Sequence, residues 1–289
     1  MSYVFITDSD SDLPYELKVK YDIPVVYMPY SLNGKEYFDD LGQTIDHKTY
    51  YEAMRNGAVP VTSALNEMAY TEYFEPYLKE GRDVLFVAFS SQLSRTLESA
   101  HAAADALMQT YPDRRIAIVD TLSISAPMTL LVLKAHELYC GGASMDEVIA
   151  WLEQNKLRAQ AFFMVDDLKY LQRGGRVSKT AATLGTMLDL KPVLVETKEG
   201  KLEAVTKQRG RKKGISFIVE QGLANVDPDA SECIVLNADC YDDAVKLRDT
   251  LIAREPRLRI RIESIGPVIG AHAGPGTLAF CFLGKERPY

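Results

Sequence analysis

Val84-Leu85-Phe86-Val87-Ala88-Phe89-Ser90-Ser91 is the stretch on which the fold turns. Six apolar residues follow one another without alternation and stop at two serines. A strand with one solvated face would alternate. A continuous apolar run of strand length instead fits a strand covered on both faces, as in a parallel sheet flanked by helices. Downstream, Ser94–Gln109 reads as a helix and Ile116–Val119 as the next strand, ending in Asp120. Upstream, Val4–Thr7 is a short apolar run ending in Asp8, and Pro14 suits the first turn of a helix to about Tyr21. Pro24–Tyr30 reads as a second strand, Asp46 as the cap of a helix through Asn56, and Glu67–Lys79 as a further helix. Helices near Ala126–Tyr139 and Met145–Asn155 complete this half. Strands separated by helices imply parallel βαβ units with helices on both sheet faces.

Beyond Asn155–Arg158 the pattern changes. Ala161–Val165 reads as a strand with a helix to about Leu171, and Pro192–Glu196 and Leu202–Lys207 flank Lys198-Glu199-Gly200 as an antiparallel hairpin. Helix Lys212–Ala224, strand Cys233–Asn237, helix Asp243–Ala253, strand Arg259–Ile265 and strand Leu278–Leu283 follow. The expectation is an α/β chain: a parallel-sheet domain over residues 1–156 and a smaller α/β domain, its sheet partly antiparallel, over residues 157–289. No proline-rich linker separates them and no internal repeat is visible, so a groove between closely packed halves is the expected ligand site.

The 289 residues carry a formal charge of −7, which argues against a nucleic-acid binder. No apolar run is long enough to span a bilayer, and the first strand starts without a basic leader, so the expected location is cytoplasmic, without stable membrane insertion. Cys140, Cys233, Cys240 and Cys281 match no zinc or CxxC spacing and read as thiols in a reducing compartment. No metal or cofactor is expected.

Ligands of parallel sheets bind beyond the carboxyl ends of the strands. Three polar clusters stand there: Asp8-Ser9-Asp10-Ser11-Asp12, Ser90-Ser91 and Asp120-Thr121. The alternating aspartates lack the glycine and late glutamate of a calcium loop, and read as helix caps through Ser11 or Asp12. They would also repel a dinucleotide pyrophosphate, and no glycine-rich phosphate loop occurs. Ser94, Asp120 and His272 fall in the order used by α/β-hydrolases, but Ser94 lacks the G-x-S-x-G elbow, so an esterase-like hydrolase is the alternative reading. Two basic segments suit an acidic partner or a phosphate: Arg173-Gly174-Gly175-Arg176, and Lys207–Lys213 with Lys207, Arg209, Arg211, Lys212 and Lys213. The second also reads as a solvated helix start. His272-Ala273-Gly274-Pro275-Gly276 reads as a loop between strands whose glycines admit close backbone approach.

Taken together, ITDSDSDLP at Ile6–Pro14, VTSALN at Val61–Asn66, SSQLSRTLESA at Ser90–Ala100, LKYLQRGGRVSK at Leu168–Lys179, LKPVL at Leu190–Leu194 and HAGPG at His272–Gly276 resemble the DegV family of fatty-acid-binding proteins. The resemblance is collinear over nearly the whole chain. It implies a Rossmann-like domain joined to a smaller α/β domain, and a long-chain fatty acid with its tail in an apolar tunnel. By resemblance the carboxylate meets Thr62, Ser63 and Ser94, with His272 close by. The protein would then be a carrier without catalytic residues of its own, presenting the acid to a fatty acid kinase for conversion to acyl-phosphate, with Arg173 and Arg176 as docking residues. The family usually has glycine where this chain has Arg95, which alters the turn or adds a cation near the headgroup or the partner surface. Thr183–Leu188 is a candidate for the tunnel wall.

Overall fold

A computed structural model describes residues 2–177 and 190–289. In chain order, β1 (Tyr3–Asp8) leads through a 3-10 turn (Ser9–Ser11) to α1 (Tyr15–Tyr21), β2 (Val25–Val26), β3 (Pro29–Leu32), β4 (Lys35–Phe38), α2 (His47–Arg55), β5 (Val61–Thr62) and α3 (Glu67–Lys79). Then come β6 (Asp83–Ala88), α4 (Thr96–Thr110), β7 (Ile116–Asp120), α5 (Ser125–Cys140) and α6 (Met145–Asn155). A second 3-10 turn (Lys156–Arg158) leads to β8 (Ala159–Met164), α7 (Lys169–Arg173), β9 (Leu190–Glu196), β10 (Leu202–Arg209) and α8 (Arg211–Asn225). Last are β11 (Glu232–Asn237), α9 (Tyr241–Arg254), β12 (Arg259–Ser264), α10 (Pro267–Ala273) and β13 (Leu278–Leu283).

The first half forms a four-stranded sheet, β2-β1-β6-β7, parallel throughout. The VLFVAF run lies at its centre, paired on both edges, with Phe86 opposite Ile6 on β1 and Ile118 on β7. The second half forms a six-stranded sheet, β10-β9-β8-β13-β11-β12, antiparallel except where β11 meets β12. Both match the alternation and the hairpin read from the sequence. Helix α5 lies between the two sheets, packing on β1 from one and on β8, β11 and β13 from the other. Its residues Ser125 to Val132 are all buried, whereas Lys134 and Glu137 nearer its end are exposed. One hydrophobic core therefore runs through both halves, from Phe5 and Phe86 to Ile234 and Ala279. A second core lies on the far side of the six-stranded sheet, under α8 and α9.

Three sequence readings need correction. Pro24–Tyr30 is not one strand: β2 is an edge of the parallel sheet, whereas β3 belongs to a separate antiparallel sheet, β4-β3-β5. Between them the Tyr27 N–H donates to the Tyr73 hydroxyl at 3.1 Å and the Met28 N–H to Ser9 Oγ at 3.0 Å, so side chains take the bonds that a continuous strand would make. Ser11 and Asp12 do not cap α1, which starts after Pro14 with no side-chain cap. Asp12 accepts instead from the Gly266 N–H at 2.8 Å and from the Ser125 hydroxyl, joining the first turn to α5 and to the segment before α10. His272 is not in a loop: it stands in the last turn of α10, and the connection begins at Gly274. Among the described residues no helix is long and apolar enough to cross a membrane. The four cysteines are free thiols, with Cys233 and Cys281 buried.

Candidate functional site

The parallel sheet ends at a shelf of polar turns. Asp8 closes β1 and accepts from the Phe89 N–H at 3.0 Å, which ties the ends of β1 and β6 together. Ser90 donates to the Gly200 carbonyl at 2.8 Å, docking the β9–β10 hairpin loop onto the same edge. Beyond β6, Leu93 turns inward, and Ser94 lies just ahead of α4, where its Oγ accepts from the Thr96 N–H at 3.2 Å. The helix thus starts at Thr96 rather than at Ser94, and the serine oxygen sits at the positive end of its dipole. Arg95 is exposed and paired with Glu98 at 2.8 Å, and it stands on the rim of the same cavity.

Thr62 reaches this shelf from β5. It pairs with Tyr30 on β3, and the Ser63 N–H donates to the Pro29 carbonyl at 3.1 Å. Helix α10 packs across β3 and β5 and is positioned by α2, whose Tyr50 and Tyr51 hydroxyls donate to the Pro267 and Ile265 carbonyls at 2.7 and 3.0 Å. This brings His272 Nε2 to 2.9 Å from Thr62 Oγ1. Helix α7 closes the other side of the imidazole. A Cβ on Gly174 would collide with His272 Nδ1, so only glycine leaves room for the ring. Gly274, at φ 81°, then turns the chain out of α10 against the Tyr170 ring. Burial pushes the His272 imidazole down to about 4, with the Arg176 and then the Arg173 guanidinium adding to the effect, so the ring is neutral at pH 7.

Thr62, Ser63, Ser94 and His272 line one cavity of about 290 Å³, near the lower end of the roughly 300–1,000 Å³ typical of ligand sites. Arg176 and Asp10 line it too. The remaining wall is mostly apolar: Phe89 beyond β6, and Phe163, Leu202, Leu236 and Ala279 from the six-stranded sheet. The sequence-based set therefore comes together, Thr62, Ser63 and Ser94 from the first half and His272 from the second. Arg173 and Arg176 divide. Arg173 is exposed, stacked at 5.3 Å from the Tyr170 ring centroid. Arg176 is half-buried and donates to the carbonyls of Leu93, at 3.0 Å, and Gly174. Arg211 of the second basic segment pairs with Asp243 at 2.6 Å and Asp166 at 2.8 Å, and donates to the Gly276 carbonyl at 2.7 Å, bracing the turn after His272. Thr183–Leu188 lies outside the described residues.

The hydrolase order is not assembled. Asp120 accepts from the Ser91 and Leu122 N–H groups at 3.3 and 2.9 Å. Among the described residues no hydrogen bond joins Ser94, Asp120 and His272, and the histidine's partner is Thr62. Among the described residues no group of side chains is arranged to hold a metal ion.

A family model described as "Uncharacterised protein, DegV family" matches residues 3–285. The chain belongs to the DegV family. A DegV domain-containing protein of Clostridium perfringens is 38% identical over 286 residues, 99% of this chain and 98% of that one. Among solved structures, a DegV family protein from Thermus thermophilus, reported for its fatty acid binding, aligns with a TM-score of 0.86 at 32% identity, over 97% of this chain and 99% of that one. DegV of Bacillus subtilis, described as a fatty acid binding protein, aligns with a TM-score of 0.81 at 29% identity, over 99% and 100%. Sequence reasoning from the DegV motifs alone missed Asp10 and Arg176 as cavity residues. The signal for Arg176 was its place in RGGR; nothing local distinguishes Asp10 from Asp8 and Asp12.

Proposed function

We propose that the protein is a carrier, without catalysis of its own, for one long-chain fatty acid. In this reading the tail occupies the apolar cavity and the carboxyl group meets Thr62, Ser63, Ser94 and His272. The observation that carries the reading is the convergence of three hydroxyl side chains and a neutral histidine on the wall of one otherwise mainly apolar cavity. Burying about fourteen methylenes contributes on the order of 10 kcal/mol gross, part of which is offset by ordering the chain. Hydrogen bonds to the charged headgroup add roughly 1.5–3 kcal/mol each and answer the desolvation of the carboxyl group. The relatives described as fatty acid binding support the same ligand class.

Residues 1–156 would act as the unit that supplies the hydroxyls. Residues 157–289 would supply His272, Arg176 and much of the tail wall. The family resemblance further supports a cytoplasmic role in which a fatty acid kinase transfers a phosphoryl group from ATP to the presented carboxylate, giving acyl-phosphate and ADP. Exposed Arg173 is then a contact for that partner. The Thr62→Val, Ser94→Ala double variant tests the headgroup site. Palmitate affinity, read by displacement of a fluorescent fatty acid, should fall at least about tenfold, as the loss of hydrogen bonds to a charged group requires. Unchanged affinity in a folded double variant would place the headgroup elsewhere.

A further inference from the structure

We propose that Asp10 positions the ligand by holding one proton jointly with the lipid carboxyl group, so that the protein takes up its fatty acid together with a proton. This rests on the carrier reading above. Asp10 sits in the turn after β1 and is only 4% exposed. Among the described residues its buried Oδ1 has no hydrogen-bond partner. Buried polar atoms left unpaired are rare in folded proteins and point to a missing partner. Asp10 lines the cavity that contains Thr62, Ser94 and His272. Arg176 lines the same cavity and acts electrostatically on both Asp10 and His272.

The charges then do not balance for an ionised ligand. Arg176 is a cation, and His272 is neutral. Among the described residues, the other titratable groups that act on or respond to Asp10 are Asp8 and Asp12 on its own segment, Asp39 after β4 and Tyr70 on α3. None of these supplies positive charge. An ionised Asp10 beside an ionised lipid headgroup would place two anions against one half-buried guanidinium. Two carboxyl groups confined in one low-dielectric site keep a proton between them. Sharing it gives Asp10 Oδ1 the donor it lacks and leaves one negative charge opposite Arg176. Burial already pushes Asp10 up to about 7, against the pull of Arg176, so the proton is available near neutral pH.

The test is calorimetric titration of palmitate into the delipidated full-length protein in buffers of different ionisation enthalpy. At about pH 8, where free palmitate and free Asp10 are both mainly ionised, uptake of about one proton per ligand is expected, with affinity falling about tenfold per pH unit above that point. Asp10→Asn supplies an N–H donor in place of the proton, so it should bind palmitate without proton uptake and with a flat pH profile. Palmitamide provides a second reading that needs no variant. Its N–H donates to ionised Asp10, so its affinity for the natural chain should stay flat while that of palmitate falls. Palmitate binding with no proton uptake, or palmitamide and palmitate weakening in parallel, would overturn the assignment. Failure of both ligands to bind would instead remove the carrier reading, and this proposal with it.

Discussion

At the scale of single residues, the site depends on how closely His272 is held. Thr62 fixes one ring nitrogen, and Gly174 leaves space beside the other. Gly174→Ala should therefore drive the imidazole away from Thr62, with no loss of core. Palmitate affinity is expected to fall about ten- to a hundredfold, the equivalent of one hydrogen bond to a charged group, at an unchanged melting temperature. Retained affinity in a folded variant would show that His272 is not part of the headgroup site. Ser94 and His272 stood out in the sequence as candidate functional residues, but Thr62 and Ser63 entered only through motif resemblance, because serines and threonines are too common for their spacing to signal a site. Asp10 was not legible. Asp8, Asp10 and Asp12 look alike along the chain, and they differ only in partners that folding brings from afar: Phe89 for Asp8, Gly266 and Ser125 for Asp12, and, among the described residues, no partner for Asp10 Oδ1.

At the scale of elements, most helices and strands could be read from periodicity, and Glu67–Lys79, Met145–Asn155 and Leu278–Leu283 fall where the pattern puts them. The β3–β4 hairpin did not, although Asn33-Gly34, with both residues at positive φ, is a strong turn signal. It was obscured because the strand before it changes sheets at Tyr27-Met28. The chain end was also silent. Arg287 is 1% exposed and donates to the carbonyls of Ala159, Leu122 and Thr197 at 2.7–2.8 Å and to Glu196 at 3.1 Å. Glu196 in turn accepts from Ser123 and the Ile124 N–H, so this strap joins the loop after β7 to the six-stranded sheet. Arg287→Ala leaves Glu196 buried without its cation and should lower unfolding stability by about 3–5 kcal/mol, read as a drop in the urea midpoint. Adding Glu196→Gln should recover part of that loss. An unchanged midpoint for Arg287→Ala would contradict this role.

At the scale of the whole molecule, the alternation of strand and helix was enough to read two joined α/β halves. It did not reveal that α5 serves both sheets as a shared layer, because periodicity reports which faces are apolar and not what covers them. The buried acids have a further consequence. Burial pushes Asp10, Asp12 and Glu196 up to about 7, and Asp8 and Asp39 well above the ordinary carboxyl range. Between the ordinary carboxyl range and these raised values the folded chain keeps protons that the unfolded chain releases. Stability is therefore lost as pH rises through about 7, each acid contributing on the order of 1 kcal/mol per pH unit while it stays protonated only in the folded chain. His47, His136 and His272 are pushed down and oppose this only below about pH 6.5, where the unfolded chain protonates them. The ligand-free protein should accordingly melt at a higher temperature near about pH 6.5 than near about pH 8. A melting temperature that is flat or rises over that interval would show that the acids are ionised in the folded state.

The central claim, that this cavity holds one fatty acid, is tested most directly by native mass spectrometry of the protein as purified from cells, before and after organic extraction. A mass excess of a single long-chain fatty acid, lost on extraction and restored by added palmitate or oleate, is the predicted result. A protein that shows no acyl mass in either state and takes up neither acid would contradict it.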